Sequence, residues 1–124
     1  MDKKCILIIE DEKGMRDALK EALEQSGFEA LLAEDGEKGM EMAKTHRIDL
    51  ILLDIILPRK DGFEVLRELK QDEKLKELPV VLTTNLSEPS DIQKALDLGA
   101  TTYLVKSNYS LSDIVEKIKD ILEK

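Results

Sequence analysis

Five side chains in this sequence can do chemistry together: Glu10, Asp11, Asp54, Thr84 and Lys106. The stretch Ile48 to Gly62 reads IDLILLDIILPRKDG. Its apolar run, Leu50-Ile51-Leu52-Leu53, ends on Asp54, with Pro58 four residues on and Asp61-Gly62 closing the loop. A run this continuous fits a parallel strand covered on both faces. A carboxylate at its C-terminal end lies where open α/β sheets place their ligands. Asp54 there can act as a nucleophile that accepts a phosphoryl group. Glu10 and Asp11 follow the run Lys4 to Ile9. In a sheet ordered 2-1-3-4-5 the first and third strands are neighbours, so the three carboxylates converge. Converging carboxylates raise one another's pKa unless a cation intervenes. Hard oxygen ligands in a water-accessible site suit Mg2+. The metal makes such a pocket receptive to a phosphoryl anion. Thr84 and Lys106 end two later runs, where a hydroxyl can bond a phosphoryl oxygen and an ammonium can neutralise one. Each residue alone has an ordinary reading. Acids after strands are often solvated, Thr is at home in strands, and one lysine means little in a chain with 37% charged residues. Their shared position at strand ends is what joins them.

Apolar spacing predicts the elements that carry these residues. Strands are expected at Lys4–Ile9, Phe28–Ala33, Ile48–Asp54, Val80–Thr84 and Thr102–Val105. Met15, Ala18, Leu19, Ala22 and Leu23 repeat at helical spacing, and Ser26-Gly27 ends that helix. A turn at Asp35-Gly36 precedes a helix marked by Met40 and Ala43. Phe63, Val65, Leu66 and Leu69 mark a third helix; Ile92, Ala95, Leu96 and Leu98, stopped by Gly99, mark a fourth. Ser110 caps the last, with Asp113 three residues on. Its inner stripe is Leu111, Ile114, Val115, Ile118, Ile121 and Leu122. Strict alternation of strand and helix implies an α/β, doubly wound, five-stranded parallel sheet with right-handed crossovers and helices on both faces.

The length of 124 residues fits one domain, 1–124. Hydrophobic content of 42% fits a folded globular chain. A net charge of −8 makes it a poor nucleic-acid binder by itself. Its apolar runs are too short to span a bilayer, and acids interrupt the N-terminal run, so it is not a signal peptide. Cytoplasm is the default location. The chain stops with the fifth helix, so no attached output domain is expected. Cys5 is the sole cysteine and reads as a small buried hydrophobe. His46, also alone, reads as a surface residue and not as a metal ligand.

Together these residues resemble the receiver domains of two-component response regulators, and the chain is similar to single-domain chemotaxis-type receivers. The motifs are Glu10-Asp11, the D-x-x-x-P-x-x-x-G segment Asp54 to Gly62, Thr84, and Gly99-Ala100-x-x-Tyr103-x-x-Lys106. The resemblance implies a flavodoxin-like receiver fold with strand order 2-1-3-4-5. It also implies a signalling switch and not an enzyme with an external substrate. Asp54 would take a phosphoryl group from a histidine kinase or phosphotransfer protein. Asp11, Asp54 and the backbone carbonyl of Ile56 would hold Mg2+, with Glu10 acting through water. Lys106 and Thr84 would bind the phosphoryl oxygens. Thr84 would move toward that group, and the Tyr103 ring would fill the space it leaves. The fourth helix, fifth strand and fifth helix would then form the face for an output protein. Without the family spacing, Tyr103 reads as a half-buried strand aromatic. The implied assembly is a monomer or weak dimer.

Departures from the family pattern carry expectations too. Lys106 is followed by Ser107 and not by proline, so the bond between them is expected to be trans. Asn85 follows Thr84 where the family favours a smaller residue, which narrows access to the pocket. Thr101-Thr102 stand where winged-helix regulators carry dimer-forming acids. Ile56 and Leu86 flank the approach of a hydrolytic water and cannot orient it, which implies slow self-dephosphorylation. A flavodoxin-like cofactor binder needs a hydroxyl- and glycine-rich loop where Glu10-Asp11-Glu12-Lys13 stands. A haloacid dehalogenase-type phosphatase needs an acid where Ile56 stands. A degenerate receiver would lack the intact set.

Overall fold

β1 (Cys5–Ile9) and β3 (Leu50–Leu53) form the middle of the molecule, and every residue in them is buried. A computed structural model describes residues 3–86 and 88–123. The elements that follow β1 are α1 (Lys13–Gln25), β2 (Glu29–Ala33) and α2 (Gly36–Thr45). After β3 come α3 (Gly62–Gln71), β4 (Val80–Thr84), α4 (Pro89–Asp97), β5 (Thr102–Val105) and α5 (Leu111–Leu122). The five strands pair in parallel in the order β2-β1-β3-β4-β5. The expected fold class and strand order are therefore observed.

Successive side chains on a strand point to opposite faces, and both faces here are covered. Leu7, Ile9, Ile51, Leu53, Val80 and Leu82 join Val65, Leu66 and Leu69 of α3 in one core. Ile6, Ile8, Leu50, Leu52, Val81 and Leu104 join Leu19 and Leu23 of α1 and Ile114 and Ile118 of α5 in the other. This double burial is why the strand sequences are apolar without alternation. β2 is the exception; at the sheet edge it buries only Ala33 fully.

Local signals set the ends of the elements. Asp35 and Asp61 cap α2 and α3, accepting from the backbone N–H groups of Lys38 (2.8 Å) and Glu64 (3.0 Å). Ser110 and Asp113 form a reciprocal capping box on α5, at 3.1 and 3.0 Å. Pro89 starts α4, where its missing N–H costs nothing.

The observed elements differ from the expected ones in a few places. β3 starts at Leu50 and not at Ile48; just before it the Asp49 N–H donates to the Cys5 carbonyl and the Asp49 carboxylate accepts from the Cys5 N–H, both at 2.8 Å. β1 and β2 each start one residue late, at Cys5 and Glu29. On α4 only Ala95 is fully buried, and Leu96, one of the four residues that mark the helix in the sequence, is 46% exposed. A helix beside an edge strand has less sheet to cover. A short 3-10 turn, Lys106–Asn108, follows β5 without a sequence signal. The Lys106–Ser107 bond is trans. Cys5 is buried and His46 exposed.

Close approach requires a glycine next to the site, at position 62. Gly62 packs its Cα against the end of β3, and a Cβ there would overlap the Asp54 carbonyl oxygen and the Ile55 Cα. Gly14, in the first turn of α1, has no heavy atom within 4 Å of where its Cβ would sit. Opposite outcomes are expected in urea unfolding. Gly62→Ala should cost about 1–3 kcal/mol through forced backbone shifts, and Gly14→Ala should gain about 0.4–1 kcal/mol by restricting the unfolded chain. A Gly62→Ala protein as stable as wild type would refute the close approach.

Candidate functional site

The sheet register assembles the site. Ile9 pairs with Leu53, so Glu10 and Asp54 leave the sheet side by side. Both continue the alternation of Ile8 and Leu52, on the α1 and α5 face. Lys106 continues that of Leu104, on the same face. Its ammonium donates to Glu10 Oε1 at 2.6 Å and to Asp54 Oδ2 at 2.8 Å. Glu10 and Asp54 are 2% and 6% exposed, so this is a buried three-membered ion cluster. The remaining carboxylate oxygens are held by backbone. Glu10 Oε2 accepts from the Glu12 N–H at 3.2 Å, and Asp54 Oδ1 from the Ile56 N–H at 3.1 Å.

Asp11 completes the cluster from the solvent side. One carboxylate oxygen each from Glu10, Asp11 and Asp54 lie within 4.8 Å of one another. All the donors are hard oxygens and Asp11 is exposed. Such a set fits Mg2+ or a similar divalent cation, which keeps part of its water shell. The sequence reading set three acids against one another, needing a cation. Lys106 already serves two of them.

The electrostatics follow from burial. Desolvation pushes the Glu10 carboxyl above its ordinary range and the Asp54 charge adds to it; the Lys106 bond opposes both without cancelling them. For Lys106, burial works against the ammonium, but bonds to Asp54 and Glu10 outweigh it and raise its pKa. The ammonium therefore stays charged at neutral pH.

Thr84 and Tyr103 lie on the other side of the sheet, in line with Leu82 and the α2 to α4 core. Thr84 is fully buried, and its Oγ1 accepts from the Leu86 N–H at 3.4 Å. The half-buried Tyr103 donates its hydroxyl to the Leu86 carbonyl at 2.8 Å. One residue of backbone thus links the two side chains. Burial, with Asp91 and Asp54 adding to it, raises the Tyr103 pKa and keeps its hydroxyl a donor. Ile56 is 57% exposed, and Asn85 is exposed as well. An open cleft of about 390 Å3 reaches Lys106 between Met15, Tyr109 and Leu111. The sequence reading missed the Glu12 and Ile56 amides and the Leu86 peptide. Backbone groups leave no residue-type signal.

Residues 6–119 match the response regulator receiver domain family. The chain is 36% identical to the alkaline phosphatase synthesis transcriptional regulatory protein of Bacillus subtilis, over 100% of this chain and 50% of that protein. It thus spans about half the length of that curated relative. Its fold matches a Vibrio cholerae chemotaxis protein with a TM-score of 0.91 at 25% identity, covering 98% of this chain and 100% of that one. It also matches the Mn2+-bound form of a response regulator, with a TM-score of 0.82 at 35% identity, over 95% and 91% of the two chains.

The buried cluster makes a stability prediction. Lys106→Met leaves two buried carboxylates without their cation, at a cost of about 3–5 kcal/mol near neutral pH. Glu10 binds its proton more tightly folded than unfolded, so acidification toward its ordinary 4.5 favours the folded state. In the variant this effect is larger, so its deficit against wild type should shrink at about pH 5. Adding Asp54→Asn should recover part of the loss, because the pair then couples. Urea unfolding of the three proteins at both pH values measures this. A Lys106→Met deficit that is small and independent of pH would refute the cluster's role.

Proposed function

The chain belongs to the response regulator receiver domain family, and on that premise we propose that it is a phosphorylation switch whose acceptor is Asp54. The observation that carries the reading is the Lys106 ammonium bonded to Asp54 at a strand end, beside Glu10 and Asp11. The donor would be a phosphohistidine on a histidine kinase or phosphotransfer protein. An Asp54 oxygen attacks phosphorus in line as the phosphorus–nitrogen bond breaks, and the bonding pair leaves with the imidazole. Asp11, Asp54 and the Ile56 carbonyl would hold Mg2+, and Glu10 would act through water, as the family resemblance implies. The metal supplies charge neutralisation on the phosphoryl oxygens. That a structural neighbour is described as Mn2+-bound supports divalent-cation binding by this chain.

Lys106 would follow the negative charge from the Asp54 carboxylate onto a phosphoryl oxygen and keep its bond to Glu10. Thr84 would turn its hydroxyl to another phosphoryl oxygen and give up the bond from Leu86. Tyr103 holds the carbonyl of that same residue, so the β4–α4 connection and the face made by α4, β5 and α5 would respond. That face would meet the output partner. The partner is unidentified; the Bacillus subtilis relative is by its name a transcriptional regulator. The charge of −8 argues against direct nucleic-acid contact by this part of the chain. No helix among the described residues is long and apolar enough to cross a membrane, and the reading remains a cytoplasmic domain, monomeric or weakly dimeric.

Incubation with a small phosphodonor and Mg2+, read by intact mass, tests the assignment. Wild type should gain one phosphate, and Asp54→Asn should gain none. Phosphate on the Asn variant, or none on wild type, would overturn it.

The lifetime of the phosphoryl group is a second outcome. Hydrolysis needs a water held opposite the departing Asp54 oxygen. Ile56 and Leu86 flank that approach and offer no hydrogen bond from their side chains. Decay after removal of the donor should therefore be slow, and faster in Ile56→Asn and Leu86→Glu. Wild-type decay within seconds, or no acceleration in either variant, would sink the idea.

A further inference from the structure

The loop between β1 and α1 must aim Asp11 back at Asp54, yet Asp11 is exposed and only its backbone is held. Arg16, half-buried on the first turns of α1, does the holding. Its Nη1 donates to the Glu10 carbonyl at 2.9 Å and to the Asp11 carbonyl at 3.2 Å. Two consecutive carbonyls are thus bound by one guanidinium nitrogen. The loop's other ties lie around them. The Glu10 N–H donates to the Ala33 carbonyl at 3.0 Å, and the Glu12 N–H to the Glu10 carboxylate at 3.2 Å. The ion pairs among the described residues do not include Arg16, although the chain is strongly acidic. Its side chain serves the loop backbone.

We propose that Arg16 is a positioning residue for the divalent-cation site, setting the direction of the Asp11 carboxylate through the carbonyls of Glu10 and Asp11. The proposal rests on the reading of Glu10, Asp11 and Asp54 as a metal site. Partners that orient ligands commonly control affinity as strongly as some ligands do. Arg16 also brings a positive charge near that site, and the two roles have opposite signs. Acting by charge alone, Arg16 repels a cation, and its removal would tighten binding. Acting by position, it holds the ligand, and its removal weakens binding.

Mn2+ is the probe, with the free ion counted by electron paramagnetic resonance. Wild type should bind Mn2+, and Asp11→Asn should bind it much more weakly. Arg16→Met should lose about 10-fold or more in affinity. Arg16→Lys, which keeps the charge and one donor group, should fall between. The rate of phosphorylation by a small phosphodonor at saturating Mg2+ should be nearly unchanged in both Arg16 variants, which places the defect in metal binding. A merely structural role would instead lower the saturated rate and the melting temperature together. Should Arg16→Met fail to fold, Arg16→Lys decides alone: affinity equal to wild type overturns the proposal. Equal or tighter Mn2+ binding by Arg16→Met overturns it as well. Wild type that binds no Mn2+ overturns the metal reading and this proposal together, a result distinct from binding that ignores Arg16.

Discussion

The contact on which the site depends is the Lys106 ammonium between Glu10 and Asp54. Two carboxylates this deeply buried are costly to desolvate, and a cation that bonds both is what makes their burial tolerable. The rest of the fold is arranged so that this contact forms. Glu10 and Asp54 arrive through the β1–β3 register, and Lys106 comes from the far edge strand. Gly62 lets α3 close against the carbonyl end of β3. A hydrophobic replacement of such a cluster is often as stable or more so. Its presence at the strand ends is therefore better explained by chemistry than by stability, as is common where a fold departs from its own packing rules.

Strand alternation divides the labour. Glu10, Asp54 and Lys106 project toward the α1 and α5 side, while Thr84 and Tyr103 follow the opposite parity. The charged cluster and the Thr84–Leu86–Tyr103 link therefore meet only at the sheet's C-terminal end. In the proposed switch that separation is useful. A charge added at Asp54 would act on Lys106 and Thr84 at the phosphoryl group, and Thr84 is joined to Tyr103 by hydrogen bonds through the Leu86 backbone, whose N–H and carbonyl serve the two side chains. A two-state element needs such a shared joint, since two groups with independent partners would not be coupled.

Much of this was legible in the sequence because double burial writes long apolar runs. β1, β3 and β4 announce themselves, and a polar residue that marks the site directly follows β1 (Glu10) and β3 (Asp54) and ends β4 (Thr84). Leu96 helps mark α4 in the sequence yet is exposed in the fold, because periodicity reports apolar residues, not how much sheet lies beneath them. The turn at Lys106–Asn108 is polar throughout and carries no periodic signal. Lys106 was identified as a candidate from its place at a strand end. Its contact with Glu10 was not, because the lysine lies 96 residues away in sequence and the meeting depends on strand order. Arg16 reads on the page as one more helix surface charge. Only the turn of the loop, which brings two carbonyls under its side chain, gives it a role.

Formal charge explains why a divalent cation suits this corner better than a second lysine. Glu10, Asp11 and Asp54 carry three negative charges, and Lys106 offsets one. Arg16 faces backbone and pairs with none of them. Two negative charges therefore remain, in a chain whose overall balance is already −8. An incoming phosphoryl donor is itself an anion, and in low dielectric that repulsion is large. A second ammonium would leave one charge unbalanced and would fix its own geometry. A divalent ion held by these acids would offset both charges. It also shares its coordination between the protein and the arriving phosphoryl oxygens. The one exposed acid, Asp11, is the member such an ion can reach from solvent without opening the core. In the proposed switch the direction of this single carboxylate, and whatever holds its backbone, would therefore govern how an ion reaches the buried pair.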